Sequence, residues 1–471
     1  MRKTKIICTL GPSTDAPEIL RSLMTGGMNA ARINFSHGTH ADHKKRIDEF
    51  KLLRGELGLT IPLLLDTGGP EVRTECFKDG SVTLVEGQSF TLTTDDIEGS
   101  ASIVGINCKS LPRQVKPGTR ILIDDGLIEL TVTEVENDSI VCAVINGGKI
   151  SNRKSVNIPG VPLNMPYING KDRADILFGI ENGFDYVAAS FTRSAEDVLA
   201  VRKLLDENGG SDIQIIAKIE NSEGIDNIDA IIGASDGIMI ARGDLGVEIA
   251  FEELPNLQKM IIKKCALAGK KVITATQMLD SMTHNPRPTR AETSDVANAI
   301  YDGTSVVMLS GETAVGAHPV ESLETMVKIA VTAENNINYV SRFNQNKIKV
   351  DLNITDAISH ATCTTAHDLG AEAIVAVSRS GYTARMISKF RPNCAIIAPV
   401  RNERVCRQLY MSWGIYPILI EEKATIDELF PYAVECSTAK GYVKPGDLVV
   451  ITGGSPVGVS GTTNIMKVQV V

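Results

Sequence analysis

No apolar run in this sequence approaches the roughly 18 consecutive residues that a membrane-spanning helix needs. The first apolar stretch, residues 6–10, is also too short for the hydrophobic centre of a secretory signal. We therefore expect no membrane partner and predict a cytoplasmic protein.

The nine cysteines stand singly, are odd in number and include no Cys-x-x-Cys pair, which excludes both a disulfide framework and a typical zinc site. The formal net charge of -9 argues against a surface that binds a polyanion. We expect no nucleic acid partner, although a local basic pocket for a small phosphate is compatible with this charge.

The composition is that of a globular protein, because 43% of the residues are hydrophobic and 22% are charged. At about 150 residues per domain, 471 residues correspond to roughly three domains. Short apolar runs alternate with helical patterns along most of the chain, which predicts an α/β protein.

Eight of these runs belong to the first predicted domain, residues 1–68 and 171–345. They lie at residues 5–9, 30–34, 62–66, 186–190, 213–218, 237–241, 271–276 and 305–310. Eight strands that alternate with helices predict a closed TIM (β/α)8 barrel, whose functional groups collect at the carboxyl ends of the strands.

An inserted all-β domain is predicted for residues 69–170, because the gap between the third and fourth runs is too long for a simple connection. Alternating strands are expected at residues 81–84, 89–93, 120–123, 127–135 and 140–144. The turns between them are marked by Asp79-Gly80, Pro117-Gly118 and Asp125-Gly126. A small barrel or sandwich on two hinges could act as a lid.

A C-terminal α/β domain is predicted for residues 346–471, after a polar linker at residues 341–349. Its parallel sheet is expected to contain residues 372–377, 395–399, 416–420 and 448–452 and to end in residues 465–471. No fourth domain is expected.

Two carboxylates, Glu220 and Asp244, follow apolar runs and are therefore expected at the ends of barrel strands. Oxygen ligands of this kind suit Mg²⁺ or Mn²⁺, which fills its other positions with water and substrate phosphate. Lys218 lies two residues before Glu220, on the same face of an extended chain. A cation beside a metal suits phosphoryl chemistry. The alternative is a solvated Lys/Glu pair on a strand surface.

Seven stretches in the same order resemble the pyruvate kinase family. They are ARINFSHG (31–38), DTGGPEVR (66–73), KIEN (218–221), ARGDLGVE (241–248), ATQML (275–279), PRPTRAE (286–292) and MLSGETA (308–314). The resemblance covers nearly the whole chain and implies phosphoryl transfer from phosphoenolpyruvate to ADP, which gives pyruvate and ATP.

The resemblance implies roles for individual residues. Glu220 and Asp244 would hold the divalent ion, and Lys218 and Arg32 would bind the transferring phosphoryl group. The backbone N–H groups of Gly243 and Asp244 would receive the substrate carboxylate. Thr276 matches the position linked to proton delivery, and since a threonine is a weak acid we expect it to act through water.

A K⁺ site is implied by the match of Asn34, Ser36, Asp66 and Thr67 to the family's monovalent-cation ligands. Turn and helix-cap roles are the alternative for these residues. In the family, a glutamate at the position of Glu71 accompanies K⁺ dependence, so we predict activation by K⁺.

The sequence contains no Walker loop that could bind the phosphates of ADP, because no Gly-x-x-x-x-Gly-Lys-Ser/Thr motif occurs. The resemblance implies that it binds between barrel and lid, with its phosphates facing Arg32, Asn34, His37, Arg73 and Lys171. One departure is Gly68, where most relatives have lysine. We expect catalysis to survive this loss of charge.

An effector site is implied in the C-terminal domain by the loop Ser378, Arg379, Ser380, Gly381, Tyr382 and Thr383, which would cradle a phosphate. Residues 453–456 and 460–464 are expected to close over it. The effector would be a sugar phosphate or nucleotide phosphate, and a turn without a ligand is the alternative. The resemblance also implies a homotetramer.

Two other functions remain open from the sequence. One is a different metal-dependent phosphoenolpyruvate or pyruvate barrel enzyme, such as a lyase or aldolase, which would not require the inserted domain or the K⁺ set. The other is a non-catalytic metabolite sensor of the same fold, suggested only by Gly68.

Overall fold

The computed structural model describes residues 1–345, 353–457 and 463–471. The predicted loop residues 460–462 and the second part of the predicted linker, residues 346–349, lie outside this range. The chain begins with the strands β1 (Lys5–Thr9), β2 (Ala30–Asn34) and β3 (Leu63–Asp66). Helices α1 (Pro17–Gly26) and α2 (His40–Glu56) connect them.

The inserted β domain follows β3. Its strands are β4 (Ser81–Leu84), β5 (Ser89–Thr93), β6 (Ile103–Gly105), β7 (Arg120–Ile123), β8 (Ile128–Val135), β9 (Ser139–Asn146), β10 (Gly148–Ser151) and β11 (Val156–Asn157). Six of them form a sheet in the order β11-β7-β8-β9-β5-β6, and β10 pairs with β4. Strands β6, β10 and β11 were not predicted. Strands β6 and β11 have only three and two residues, too few to show an alternating pattern, and β10 begins in the Gly147-Gly148 pair, which is typical of a turn.

The turns of this domain are where the sequence places them. Gly80, Gly118 and Gly126 have φ angles of 75°, 88° and 83°, which a side chain would disfavour. Phe90, Leu130 and other alternate residues of the strands form a separate hydrophobic core.

The chain then completes the barrel. Its remaining strands are β12 (Tyr186–Ala189), β13 (Gln214–Ile219), β14 (Gly237–Ala241), β15 (Lys271–Ala275) and β16 (Val306–Leu309). The helices are α3 (Gly170–Glu181), α4 (Ala195–Glu207), α5 (Ser222–Asp226), α6 (Ile228–Ala234), α7 (Arg242–Glu248), α8 (Leu254–Leu267), α9 (Arg290–Asp302), α10 (Gly311–Ala314) and α11 (Pro319–Asn335). The eight parallel strands close in the order β1-β16-β15-β14-β13-β12-β3-β2, as predicted.

The barrel strands are buried on both faces, which explains their continuous apolar runs. Ile7, Leu64, Met239 and Ile273 fill the interior together with Met411 of the C-terminal domain. The hydroxyl group of Tyr186 donates to the carbonyl oxygen of Gln408. The C-terminal domain therefore packs against the amino ends of the strands, and the carboxyl ends are left to the functional site.

Helix α12 (Tyr339–Gln345) precedes the C-terminal domain, whose helices are α13 (Ile354–Asp368), α14 (Tyr382–Lys389), α15 (Glu403–Leu409) and α16 (Ile426–Ala439). Its strands are β17 (Ala373–Ala376), β18 (Ala395–Val400), β19 (Ile415–Leu419), β20 (Leu448–Gly454) and β21 (Thr463–Val470), in the sheet order β19-β18-β17-β20-β21. The prediction of a wholly parallel sheet was wrong, because β21 runs antiparallel to β20. The short connection at residues 455–462 cannot make the parallel crossover, which needs about a dozen residues.

Among the described residues, no helix is both long and apolar enough to span a membrane.

Candidate active site

Lys218 is the centre of a charged cluster at the carboxyl ends of the barrel strands. Its ammonium nitrogen lies 3.0 Å from Oδ1 of Asp66 and 2.9 Å from Oε1 of Glu220. It also donates a 2.7 Å hydrogen bond to Oγ of Ser190. All four residues are buried, so the sequence-based alternative of a solvated Lys/Glu pair is wrong.

Asp66 joins Lys218 to Arg32. The guanidinium Nε of Arg32 lies 2.6 Å from Oδ2 of Asp66, and its Nη1 donates to Oγ1 of Thr9 at 3.0 Å. Burial would raise the pKa of Asp66, but Arg32 and Lys218 outweigh burial and hold that pKa below its usual value. The result is a carboxylate that fixes two cations side by side, an arrangement suited to a phosphoryl group.

The protonation of Lys218 is set by the same carboxylates. Burial acts to lower its pKa, but Asp66 and Glu220 outweigh burial and raise the pKa well above the usual lysine value. Lys218 is therefore a permanent cation near neutral pH and is not a candidate for a general base.

Glu220 and Asp244 form the candidate divalent-metal pair. Oε2 of Glu220 accepts the backbone N–H of Phe191 at 2.6 Å. Burial raises the pKa of Glu220, Lys218 opposes this and the charge of Asp244 adds to it. A bound divalent cation would stabilise the ionised form of this buried carboxylate. The oxygen donors of Glu220 and Asp244 therefore fit Mg²⁺ or Mn²⁺.

Within the described ranges, no group of three or more His, Cys, Asp and Glu side chains is placed to hold a metal. Two carboxylates are sufficient for Mg²⁺ in a phosphate-binding site, because substrate and water oxygens complete its coordination.

Thr276 occupies a strained turn directly after β15. Its φ is 66° and that of Gln277 is 53°, values that are uncommon for residues other than glycine. The backbone N–H of Gly243 donates to Oγ1 of Thr276 at 2.8 Å, and that hydroxyl donates to the carbonyl oxygen of Ala275 at 2.6 Å. The predicted carboxylate donor Gly243 is therefore already engaged by the predicted proton-delivery residue.

Arg242 supports this turn and was missed by sequence reasoning. Its Nη2 donates to the carbonyl oxygen of Thr276 at 2.6 Å, and its Nε donates to that of Ala275 at 3.2 Å. Asp295 holds the guanidinium from the other side, with 2.6 Å between Nη1 and Oδ2. The available signal was an arginine directly after the buried strand β14, next to Gly243.

The four predicted K⁺ ligands lie at the ends of two neighbouring strands. Asn34 and Asp66 are register partners in β2 and β3, and Ser36 and Thr67 follow them. Oδ1 of Asn34 accepts the N–H of Ser36 at 3.1 Å. The hydroxyl of Thr67 accepts the N–H of Ser190 at 3.1 Å. These hard oxygen donors fit K⁺, although Asp66 is shared with Arg32 and Lys218.

Glu71, the residue from which K⁺ dependence is predicted, forms an ion pair with Arg73, at 2.7 Å between Oε2 and Nη2. Burial raises the pKa of Glu71, and Arg73 opposes that effect. The side chains of Glu71 and Arg73 therefore form one unit at the first hinge of the inserted domain.

The predicted nucleotide residues lie near one another. Burial lowers the pKa of His37, and the positive charges of Arg73, Arg32 and Lys171 lower it further. Lys171 pairs with Asp175 at 2.7 Å and also donates to the carbonyl oxygen of Phe35. The cluster is basic, which suits an anionic ligand.

Gly68 and Gly69 donate their backbone N–H groups to Oδ1 of Asp172, each at 3.1 Å. Asp172 lies in the first turn of α3, so it ties the outgoing hinge of the inserted domain to the returning one. Its Oδ2 is buried without a hydrogen-bond partner, and burial raises its pKa. A Cβ at Gly68 would meet only ordinary contacts, so this position has room for a side chain.

A further contact ties the inserted domain to the barrel. Nδ2 of Asn157 in β11 donates to Oε1 of Glu248 in α7 at 2.9 Å. Asp244 lies in the first turn of the same helix, so the position of the inserted domain is mechanically linked to a candidate metal ligand.

The predicted effector loop, residues 378–383, follows β17 in the C-terminal domain, and its last two residues, Tyr382 and Thr383, begin α14. Gly381 has a φ of 74° and packs against Leu409. The hydroxyl groups of Thr383 and Thr463 lie 2.7 Å apart. The loop is thus next to the start of β21 and remote in the fold from the catalytic cluster.

A closed barrel that carries paired cations and two candidate metal-ligating carboxylates at its strand ends has the arrangement expected of a phosphotransferase that acts on a small phosphorylated substrate. The model of the pyruvate kinase barrel domain matches residues 1–323, and that of the pyruvate kinase alpha/beta domain matches residues 356–469. The chain belongs to the pyruvate kinase family.

Curated relatives and a solved structure support this family assignment. The chain is 51% identical over 472 residues to pyruvate kinase from Clostridium acetobutylicum, with 100% of both chains covered. It is also 51% identical over 473 residues to pyruvate kinase from Sporosarcina psychrophila, covering 100% of this chain and 81% of that one. The crystal structure of a pyruvate kinase from Cryptosporidium parvum matches with a TM-score of 0.94 and 38% identity, covering 100% and 96% of the two chains.

Proposed function

We propose that this chain transfers the phosphoryl group of phosphoenolpyruvate to ADP, with Mg²⁺ or Mn²⁺ and K⁺ as cofactors. The observation that carries the proposal is the buried cluster in which Asp66 holds the charged groups of Lys218 and Arg32 together. A lyase would not need two fixed cations for a migrating anion, and a sensor would not need the strained Thr276 turn.

Lys218 and Arg32 bind the phosphoryl oxygens and stabilise their charge as the bond from phosphorus to the enol oxygen breaks. The terminal oxygen of ADP forms the new bond to phosphorus, and ATP is the product. Because Lys218 is held protonated by Asp66 and Glu220, it stabilises charge without moving a proton.

Glu220 and Asp244 would hold the divalent ion, which when bound supplies charge neutralisation for substrate carboxylate and phosphoryl oxygens. Asn34, Ser36, Asp66 and Thr67 would hold K⁺. Arg73, His37, Asn34 and Lys171 would bind the ADP phosphates, and Arg73 would exchange part of its pairing with Glu71 for that contact.

The enolate that remains must gain a proton on its methylene carbon to become pyruvate. Arg242 fixes the backbone carbonyl of Thr276 independently of Gly243, so the Thr276 hydroxyl can orient a water molecule that delivers this proton. If the amide of Gly243 also receives the substrate carboxylate, the Thr276 hydroxyl must rotate away as substrate enters.

The remaining proposals are inherited from the family resemblance. The inserted domain, residues 69–170, closes as a lid over the barrel domain of residues 1–68 and 171–345. A phosphorylated effector binds the loop 378–383 in the domain of residues 346–471. The active form is a cytoplasmic homotetramer.

The deciding assay measures pyruvate formation from phosphoenolpyruvate and ADP with Mg²⁺, in K⁺ or Na⁺ at equal ionic strength so that screening is constant. We expect turnover that K⁺ stimulates. Turnover without stimulation would overturn the K⁺ proposal alone. Turnover of a carbonyl substrate without ADP would favour a lyase, and absence of turnover with candidate effectors present would favour a sensor.

A further inference from the structure

A cavity of about 250 Å³ lies between the amino ends of the barrel strands and helix α14 of the C-terminal domain. Its barrel side is formed by the starts of β13 and β15 and by Asp236 before β14. We call it the interdomain cavity. It is at the end of the barrel opposite the catalytic cluster, and Tyr382 is the one lining residue that it shares with the loop 378–383.

Four cationic side chains line the interdomain cavity: Lys270, Lys271, Arg385 and Lys389. Lys389 is neutralised by Asp356, at 2.8 Å between Nζ and Oδ2. Asp236 is the other acid in the lining, and its side chain lies 3.5 Å from Arg202. The other three cations therefore share the single carboxylate of Asp236, whose charge raises the pKa of each of them.

These three cations have only neutral acceptors within the described part of the chain. Nζ of Lys271 donates to Oε1 of Gln214 at 2.6 Å, and Lys270 donates to the carbonyl oxygen of Ser235. Nη1 of Arg385 donates to the carbonyl oxygen of Ser380 at 3.1 Å. Burial lowers the pKa of Lys271 to about 7; the neighbouring Arg385 adds to this and Asp236 opposes it. Three cations that share one carboxylate leave the lining with an excess of positive charge, which is the electrostatic pattern of an anion site.

A second, much smaller cavity of about 20 Å³ adjoins the first and shares the cationic wall. Two of its lining groups, Nη1 of Arg391 and Oγ of Ser412, are buried without a hydrogen-bond partner. Ser412 is only 3% exposed. Unpaired donors of this kind need an acceptor, and the space suits one water molecule or one ligand oxygen.

We propose that the interdomain cavity binds a phosphate monoester through Lys270, Lys271 and Arg385, at a site that lies opposite the catalytic cluster and shares only Tyr382 with the loop 378–383. The volume exceeds that of a bare phosphate, and Tyr382 and Met386 give it a partly apolar wall for an organic group. Binding does not depend on the reaction proposed above.

Two barrel strands connect the interdomain cavity to the catalytic cluster, so a ligand bound in the cavity could influence that cluster through them. Strand β13 runs from Gln214 to Lys218 and β15 runs from Lys271 towards Thr276. Arg385 also contacts Ser380 in the loop 378–383. A bound anion would therefore fasten α14 to the amino ends of two strands whose other ends carry functional residues.

The test uses the full-length protein and two probes, inorganic phosphate and glycerol 3-phosphate, with chloride at matched ionic strength as the screening control. Hydrogen exchange followed by mass spectrometry locates binding. We expect slower exchange in residues 268–272 and 382–389 with either probe, and stronger protection with the ester. Protection confined to residues 31–38, 66–73 and 376–381 would overturn the proposal. Protection at the site by inorganic phosphate alone would overturn its assignment to an ester.

Arg385→Gln and the matched variant Arg379→Gln separate the two C-terminal sites, because Arg379 lies on the exposed side of the loop. We expect Arg385→Gln to weaken the ester at the interdomain cavity about tenfold, the effect of losing one charge-assisted contact, and Arg379→Gln to leave it unchanged. Equal weakening by both variants would contradict a separate site. If Arg385→Gln does not fold, Lys270→Gln at a half-buried position serves the same comparison.

Discussion

The ammonium nitrogen of Lys218 lies 3.0 Å from Oδ1 of Asp66, while Arg32 occupies the other oxygen of the same carboxylate. Lys218→Met should therefore lower kcat by about 10³-fold, because one fixed charge on the migrating phosphoryl group is lost. Steady-state assays measure this, with the exposed Lys203→Met as control. Magnesium and phosphoenolpyruvate binding should be partly retained, and an unchanged kcat would refute the role.

Ser190 provides a milder test of the same cluster, because its hydroxyl accepts from Lys218 at 2.7 Å and donates to Asp66 at 3.1 Å. Ser190→Ala should lower kcat about tenfold and leave the KM for ADP unchanged, since Ser190 positions Lys218 and does not touch the nucleotide. A change in KM alone would show that the cluster acts in nucleotide binding.

Magnesium binding should become tighter with rising pH, because burial raises the pKa of Glu220 and the metal competes with its proton. A raised pKa in the folded protein also means that stability without metal falls as pH rises from the usual glutamate pKa towards the raised one. Titration calorimetry with MgCl₂ in buffers of different ionisation enthalpy should reveal proton release. Equal heats in all buffers would contradict it, and Glu220→Gln should abolish the release.

Arg242→Gln should impair proton delivery more than phosphoryl transfer, because Arg242 fixes the carbonyl of Thr276 and not the phosphoryl site. We expect deuterium incorporation into the methyl group of pyruvate to fall about tenfold to a hundredfold, a range typical for misplaced catalytic groups. Asp295→Asn should give a smaller change in the same direction. Equal losses in both half-reactions, together with a lower Tm, would indicate a purely structural role.

Glu71→Lys should remove the dependence on K⁺, because a lysine would supply the missing positive charge. The variant also breaks the pair with Arg73, so Glu71→Gln is the matched control that breaks the pair without adding charge. We expect K⁺ and Na⁺ to give equal rates with Glu71→Lys only. If Glu71→Gln also becomes independent of K⁺, the pair with Arg73 and not the charge at position 71 is responsible.

Gly68→Lys should lower the KM for ADP about threefold, the strength of a partly exposed ion pair. The backbone has room, since a Cβ at this position would lie 3.6 Å from Oδ1 of Asp172. Gly68→Met supplies the length without the charge. A higher Tm with unchanged KM would show that the lysine pairs with the unpartnered oxygen of Asp172 instead of with nucleotide.

Most strands were predictable because burial on both faces leaves a continuous apolar run, as in β13 and β14. Strand β11 was not predictable, since two residues are too few to show an alternating pattern. It nevertheless supplies Asn157, which contacts Glu248. The antiparallel direction of β21 was also not predicted, because an apolar run does not indicate which strand it will pair with or in which direction.

The sequence by itself determined which chemical groups stand at the strand ends, because Lys218, Glu220 and Asp244 follow runs that only a buried strand explains. It could not determine which groups meet, since closure of the barrel and not chain proximity brings Asp66 and Ser190 to Lys218. The same holds for Arg242, whose role depends on Asp295 and on the strained turn at Thr276. Pairing is decided by tertiary packing because a buried charge is stable only beside a partner, and the fold chooses that partner.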